Sequence, residues 1–246
     1  MNISALFGLA RSLLLYYAIP GRAAAWRALY KNFISSGDLC FDLGAHVGSR
    51  SAAMLALGAR VVAIEPQPLF VRWLVRAYGQ DPNFVLVSQA AGGVPGRAAL
   101  LVSTRIPTVS TLSAEWACEV ARTPGFAGVN WDRQMDTQVT TLDALIAQFG
   151  PPVFCKIDVE GSEADVLHGL SQPIAALSFE YIPAAIDRTM RCLERLKQLG
   201  EYRFNLVEGE KPRFSLENWV EEKAIAVRLN SLPRTARAGE VFARVQ

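Results

Sequence analysis

Charged residues interrupt an apolar run at residues 156–163, which read Lys-Ile-Asp-Val-Glu-Gly-Ser-Glu. The run from residue 153 to 159 is otherwise apolar and β-branched enough to predict a buried parallel strand. Lys156, Asp158 and Glu160 share one parity of that strand and therefore point to one face. A central strand tolerates charges only when they are paired, so the pattern favours a functional site, with a structural ion-pair network as the alternative. We expect Lys156 to be buried and paired with a carboxylate.

Two further segments suit an adenosine cofactor. Residues 42–48, Asp-Leu-Gly-Ala-His-Val-Gly, follow the first predicted strand and open a helix, so the backbone can approach a ligand and the helix start offers free N–H groups. Their G-x-x-x-G spacing departs from the G-x-G-x-x-G of NAD-binding turns. Glu65, followed by Pro66, ends the second strand, where a carboxylate accepts both hydroxyls of a ribose. Ser88 and Gln89 end the third strand, where they border an adenine ring or form an ordinary strand end.

Short apolar runs alternate with helical patterns from residue 39 onward, which indicates an α/β fold with a doubly wound sheet. One predicted helix runs from Ile186 to Leu199 and stops at Gly200, and another begins after the capping residue Thr141. The predicted strands are Leu39–Leu43, Arg60–Glu65, Phe84–Ser88, Val153–Asp158, Ala175–Glu180 and Tyr202–Val207.

One interval between predicted strands is too long for a single crossover helix. Within it, residues 104–135 carry Trp116, Phe126 and Trp131. Long insertions beside the carboxyl ends of strands usually cover a site, so we interpret this segment as a substrate-facing cap. The alternative is that its aromatic residues fill a satellite core.

Residues 1–36 form a cationic extension, because the first acidic residue of the chain, Asp38, follows four Arg and Lys residues. Residues 3–19 combine a wide apolar face with a narrow polar stripe and predict an amphipathic helix that ends at Pro20. The run is too short and interrupted for a spanning helix, and its charge order does not suit a secretory signal. The helix is expected to pack on the domain, to form a homodimer contact or to dock on an anionic membrane surface.

Composition limits the class of protein. With 246 residues, of which 51% are hydrophobic, the chain can bury one large core, so residues 37–246 are expected to form one domain. A net charge of +2 argues against a nucleic-acid partner. The four cysteines include no C-x-x-C pair, which favours reduced thiols in a cytoplasmic protein, with membrane association through the N-terminal helix as a variant.

Four motifs, in this order, resemble the FkbM family of S-adenosylmethionine-dependent methyltransferases. They are Asp42–Gly48, Ala63–Pro66, Thr141–Asp143 and Lys156–Glu163, and the last is the most specific. The resemblance runs from about Ser36 to Leu206. It implies a Rossmann-like, seven-stranded class I methyltransferase sheet with an antiparallel last strand at residues 240–245, and S-adenosylmethionine as cofactor.

The same resemblance implies which residues contact the cofactor. Asp42, Gly44 and Gly48 would line its methionine and ribose end, with Ala45 in the same turn, and Glu65 would hold the ribose. His46 would contact the cofactor carboxylate or turn towards the substrate. The expected cofactor-binding residues are Asp42, Gly44, Ala45, His46, Gly48, Glu65, Pro66, Ser88, Gln89 and Asp158.

Methyl transfer from a sulfonium to an alcohol needs alignment of the two reactants and a base for the hydroxyl proton. Asp158, Glu160 and Glu180 are the candidate catalytic carboxylates, with Lys156 beside them. They could also hold Mg²⁺, which we do not favour. The resemblance implies a hydroxyl of a sugar, polyketide or related natural product as acceptor, so we predict an O-methyltransferase. The cationic amphipathic start of the chain adds a lipid-linked saccharide as a variant. A nicotinamide-dependent oxidoreductase and a non-catalytic S-adenosylmethionine-binding protein are the alternatives.

Overall fold

The strands of the main sheet, each four to seven residues long, position the charged residues. The computed structural model describes residues 3–246, with side chains from Leu6 onward. The strands within this range are β1 Leu39–Leu43, β2 Arg60–Ile64, β3 Phe84–Val87, β4 Ala90–Ala91, β5 Gly96–Val102, β6 Arg133–Thr140, β7 Phe154–Ile157, β8 Ala176–Tyr181, β9 Tyr202–Glu208 and β10 Gly239–Val245.

Seven of these strands form one sheet, in the order β3-β2-β1-β7-β8-β10-β9. The pairs from β3 to β8 are parallel, whereas β10 runs antiparallel between β8 and β9. The predicted doubly wound sheet is confirmed, and β10 is the antiparallel strand that the resemblance implied. Leu43 at the end of β1 pairs with Ile157 at the end of β7, so the turns that follow these two strands lie side by side.

Helices cover both faces of the sheet. Within residues 3–246 they are α1 Ile3–Tyr17, α2 Arg22–Tyr30, α3 Ser49–Leu55, α4 Pro68–Tyr78, α5 Ala114–Val120, α6 Leu142–Phe149, α7 Glu163–His168, α8 Ile186–Leu199 and α9 Glu222–Asn230. Phe41 and Leu43 of β1 pack with α6 to α9, whereas Cys40 packs with α2 to α4, as the alternation of side chains along a strand requires. The Thr141 hydroxyl caps α6, as predicted, by accepting from the Ala144 N–H at 3.2 Å.

The long interval contains a second sheet that the sequence did not predict. Its strands lie in the order β4-β6-β5. The chain leaves this sheet after β5, forms α5 and returns at β6. Trp116 of α5 packs with Phe126 and Trp131 in a satellite core. The strands were missed because β6 is polar and half-exposed, so it lacks the apolar run of a central strand.

The N-terminal extension consists of two helices with different packing. Trp26 and Tyr30 of α2 are buried in the core. Among the residues of α1 from Leu6 onward, Gly8 and Ser12 are buried, while Phe7 and Leu14 are exposed. The amphipathic helix is confirmed, but its apolar face points outward. Among the helices of residues 3–246, none is long and apolar enough to span a bilayer.

Candidate active site

The charged run at residue 156 lies at the centre of the sheet edge. β7 ends at Ile157, one residue before the predicted end, and Asp158 begins the turn. Lys156 is buried, and its Nζ lies 2.6 Å from Oδ2 of Asp158. The predicted burial and pairing of Lys156 are therefore confirmed. Burial opposes the charge of Lys156, but the carboxylates around it, above all Asp158, outweigh that effect and raise its pKa.

The turn after Asp158 has an unusual backbone. Glu160 has φ 55° and Gly161 has φ 89°, so both occupy the left-handed region, which is unfavourable for a glutamate. Hydrogen bonds fix this conformation: the Thr111 hydroxyl donates to the Glu160 carbonyl at 2.6 Å, and Arg188 Nη1 donates to the Gly161 carbonyl at 3.0 Å. Glu163 Oε1 accepts from the Gly161 N–H at 3.2 Å.

The turn brings three predicted carboxylates together. One oxygen each of Asp158, Glu160 and Glu180 lies within 4.8 Å of the others. Burial, followed by the neighbouring negative charges, raises the pKa of Glu160 and of Glu180 well above the usual value. Burial also acts on Asp158, but the Lys156 ammonium outweighs it and lowers the pKa of Asp158. One ionised carboxylate therefore lies beside two that hold protons more tightly.

The glycine turn after β1 touches this cluster. Gly44 has φ 79°, and a Cβ there would lie 1.8 Å from the Asp158 carbonyl oxygen, so no side chain fits. Asp42 is fully buried, its Oδ2 accepts from the Ser51 hydroxyl at 2.6 Å, and burial raises its pKa. Gly48 begins α3 and packs against Tyr78 instead of facing a cavity.

Glu65 and His46 meet at the next strand end. Glu65 Oε2 accepts from the His46 N–H at 2.9 Å, and Oε1 accepts from the Gln67 N–H at 2.8 Å. Burial raises the pKa of Glu65 to about 7. The His46 ring packs against Phe70, with ring centroids 4.1 Å apart, and against Tyr16. Burial lowers the pKa of His46 to about 3, so its imidazole is neutral.

Two cavities meet at this site. The larger, of about 340 Å³, includes Asp42, Ala45, Lys156 and Glu180 in its lining. The smaller, of about 60 Å³, is lined by groups from the second strand end and from residues 107–112 of the proposed cap. Gly44, His46 and Asp158 line both. The smaller cavity also takes in Glu65, Pro66 and Glu160.

Ser88 and Gln89 line neither of these two cavities. The Gln89 amide instead donates to the Gln138 side chain at 3.1 Å on the surface. Ala90 and Ala91, the next two residues, line the smaller cavity. The end of β3 therefore borders the smaller cavity through Ala90 and Ala91, because the chain continues into β4 before it turns away.

The structure adds residues that sequence reasoning missed. Tyr16 of α1 lines the larger cavity, so the N-terminal extension contributes to the site. Arg50 is buried under the Trp26 ring and donates to Glu240 Oε1 at 3.0 Å. Glu240 comes from β10, far from the motifs in sequence. A charged residue at the start of an otherwise apolar strand was the only sequence signal for Glu240, and Tyr16 gave none.

The residues present fit an adenosine cofactor with a polar tail. Among residues 3–246, several buried polar atoms of the larger cavity lack a hydrogen-bond partner, including Asp42 Oδ1, His46 Nε2 and Glu180 Oε2. Gly44, after β1, and the carboxylate of Glu65, after β2, both line the smaller cavity beside them. Buried polar atoms are rarely left unsatisfied, which indicates that a ligand supplies the missing hydrogen bonds.

The parallel sheet with an antiparallel β10, together with the glycine turn after β1 and the carboxylate of Glu65 after β2, is the arrangement of a class I methyltransferase. Residues 42–206, more than half of the chain, match the model of the methyltransferase FkbM domain. The protein belongs to the FkbM methyltransferase family. This membership implies S-adenosylmethionine as the methyl donor and decides against a nicotinamide-dependent oxidoreductase.

Several solved structures are similar to this chain over most of its length. The precorrin-6y C5,15-methyltransferase of Geobacter metallireducens is 12% identical over 91% of this chain and 87% of its own, with a TM-score of 0.46. The precorrin 8w decarboxylase of Methanobacterium thermoautotrophicum is 12% identical over 89% of each chain, with a TM-score of 0.47. An rRNA methylase of Streptococcus thermophilus is 10% identical over 89% of this chain and 94% of its own, with a TM-score of 0.43. No curated protein matches the sequence.

Proposed function

We propose that this methyltransferase transfers the methyl group to a hydroxyl oxygen of a sugar, polyketide or related natural product. The observation that carries the proposal is the cluster of Asp158, Glu160 and Glu180, whose carboxylate oxygens lie within 4.8 Å of one another. A hydroxyl acceptor must lose a proton, and a positioned carboxylate typically accelerates that step by about 10²- to 10⁴-fold.

The cofactor residues divide between the two cavities. Glu65 would accept hydrogen bonds from the ribose hydroxyls, and Pro66 and Ala91 line the same cavity. Asp42, Ala45 and His46 line the cavity where the methionine end would lie. S-adenosylmethionine supplies an electrophilic methyl group on a sulfonium. A cation of this kind beside the carboxylates lowers their pKa values and so favours the ionised form that accepts a proton.

Glu180 is our choice of base. Its Oε2 is buried without a hydrogen-bond partner in the described structure, and the side chain lines the larger cavity. Asp158 is held by Lys156 at 2.6 Å and therefore stays ionised as a fixed charge. The acceptor hydroxyl gives its proton to Glu180 as its oxygen takes the methyl group, so the bond from oxygen to carbon forms while the bond from carbon to sulfur breaks.

The acceptor site is the remainder of the larger cavity. Its lining mixes Glu210 and Glu240 with Arg22 and Arg237, and it has few apolar groups from the sheet. Carboxylates and guanidinium groups together hydrogen-bond to a ligand that carries many hydroxyls. This lining supports a saccharide-like acceptor over an apolar one.

The experiment is methyl transfer from isotope-labelled S-adenosylmethionine to a panel of saccharides, glycolipids and polyketide alcohols, with matched amines included. We expect an O-methyl product, identified by NMR, and we expect Glu180→Gln to bind S-adenosylhomocysteine normally while losing roughly 10²-fold or more in turnover. An N-methyl product would contradict the hydroxyl acceptor. Normal cofactor binding without turnover on any acceptor would favour the non-catalytic alternative.

A further inference from the structure

The outward face of α1 is apolar, although this helix lies on a folded domain. Phe7 is 63% exposed and Leu14 is 68% exposed, with Ala10 between them and Leu6 beside them. The spacing of Phe7, Ala10 and Leu14 places them on one side of the helix. We call these four residues the outer α1 face. Surface helices normally turn the apolar side towards the core, so this orientation is reversed.

The inner side of α1 explains why the helix can sit this way. A Cβ at Gly8 would lie 3.1 Å from the Pro107 ring, so Gly8 allows close contact with the proposed cap. Ser12 is fully buried. The Tyr17 hydroxyl donates to the Val47 carbonyl at 3.0 Å, next to the glycine turn. Small and polar residues thus contribute to the side of α1 that lies over the site, while Phe7 and Leu14 are left in water.

Cations lie on α1 beside the outer α1 face and just beyond the C-terminal end of this helix. Arg11 is exposed on the same helix. Just after the helix, Ile19 shares a surface cleft with Lys211 and Arg213, which are both exposed. The acidic residue of that cleft, Glu210, forms an ion pair with Arg50, with its Oε2 3.4 Å from Nη2 of Arg50. Residues 1–37 contain no Asp or Glu.

An apolar face bordered by cations fits one kind of partner best. Anionic lipid headgroups attract exposed Lys and Arg, and the apolar side chains can enter the acyl boundary below them. A second copy of the chain fits less well, because a two-fold pair would bring the cations of both copies into one interface. We propose that the outer α1 face docks on an anionic membrane surface, with Arg11, Lys211 and Arg213 at the lipid phosphates.

This docking would place the larger cavity close to the lipid surface, since Tyr16 on the other side of α1 lines that cavity. If the proposed O-methylation holds, the acceptor is then a lipid-linked saccharide presented at the membrane. The docking itself does not depend on the reaction, because vesicle binding is measured without methyl transfer.

The test is co-sedimentation of the full chain with two kinds of vesicle, phosphatidylcholine alone and phosphatidylcholine mixed with phosphatidylglycerol. We expect binding to the mixed vesicles and much weaker binding to phosphatidylcholine alone. Phe7→Ser with Leu14→Ser should weaken the partition about tenfold or more. Lys211→Gln with Arg213→Gln should weaken it about fivefold per cation. The matched control is Val227→Ser, since Val227 is 71% exposed on α9, away from α1.

Thermal melts of each variant show whether it is folded before binding is compared. The proposal is overturned if the folded wild-type chain stays in the supernatant with both vesicle types, or if the Phe7→Ser, Leu14→Ser variant binds as well as the control. Equal binding to both vesicle types would overturn the role of the cations. A wild-type dimer that this variant converts to a monomer, without any vesicle binding, would identify a second copy as the occupant.

Discussion

The indole ring of Trp116 lies directly against Gly161. A Cβ added at Gly161 would come within 2.2 Å of Cγ of Trp116, closer than any side chain tolerates. Trp116 belongs to the proposed cap, whereas Gly161 belongs to the turn that carries Glu160. The proposed cap therefore packs on the backbone of the turn that carries Glu160. A substitution in either segment should change the conformation of the other.

Gly161→Ala should destabilise the protein through two separate effects. The left-handed φ of 89° costs an alanine about 1–2 kcal/mol, and the displacement of Trp116 adds about 1–3 kcal/mol. Gly128→Ala is the matched control, because Gly128 has φ 80° but a Cβ there would meet nothing within 4 Å. Urea unfolding measures both losses in the free energy of unfolding. Equal losses would show that the Trp116 contact contributes nothing.

Lys156→Met should leave the Asp158 carboxylate without its cation. Removing one partner of a buried pair costs about 3–5 kcal/mol, and we expect the lower end because the Asp158 side chain is 35% exposed. Arg97→Met breaks the exposed pair with Asp136 and should cost less than about 1 kcal/mol. Chemical denaturation compares the two variants. A loss for Lys156→Met as small as that of the control would show the pair to be irrelevant to stability.

Binding of S-adenosylhomocysteine should strengthen as pH rises towards about 7. Burial raises the pKa of Glu65 to about 7, and ribose hydroxyls donate best to the ionised carboxylate, so binding releases a proton below that pH. The affinity should change by up to about tenfold per pH unit and level off above the pKa. Titration calorimetry in several buffers measures both the affinity and the proton release.

Glu65→Gln should remove this pH dependence, whereas Glu194→Gln, at an exposed position on α8, should retain it. The ligand-free protein should show the opposite trend. The unfolded carboxylate ionises at lower pH than the folded one, so the contribution of Glu65 to stability falls as pH rises from about 4.5 to about 7. An affinity that is flat with pH in the wild type would contradict the assignment of Glu65 to the ribose.

Arg188→Gln should loosen the cap. Arg188 is buried and donates to Glu115 at 2.9 Å, to Glu119 at 3.0 Å and to the Gly161 carbonyl, so it joins α8, α5 and the turn. Hydrogen exchange of residues 114–120 should accelerate roughly tenfold or more. The control is Arg195→Gln, since Arg195 donates to carbonyls near the end of α7 instead. An unchanged rate of hydrogen exchange in α5 would show that Arg188 does not hold this helix against the turn.

Mg²⁺ should not be needed for cofactor binding. The Lys156 ammonium already supplies a cation beside the carboxylates, at 2.6 Å from Asp158. We expect EDTA and added Mg²⁺ to leave the affinity for S-adenosylhomocysteine and the Tm unchanged. A rise in Tm with Mg²⁺ that Glu180→Gln abolishes would instead identify Asp158, Glu160 and Glu180 as metal ligands.

The local sequence predicted most of the main sheet and the pairing of Lys156 with a carboxylate. Buried parallel strands need continuous apolar runs, and such runs allowed β1, β2 and β7 to be predicted. Charges in such runs require partners, so Lys156 could be paired with a carboxylate before any contact was known. β5 and β6 escaped prediction because half-exposed strands stabilised by pairing within a small sheet carry no comparable run.

By itself, the sequence determined which strand ends hold the glycine turn and the charged residues of the candidate site, because these motifs directly follow apolar runs that predict strands. Only the tertiary structure decided that Tyr16 and Glu240, near opposite ends of the chain, line the same cavity. It also decided that α1 turns Gly8 and Ser12 inward and leaves Phe7 and Leu14 exposed. Amphipathic periodicity fixes that a helix has two faces, but the shape and polarity of the surface beneath it select which face is buried.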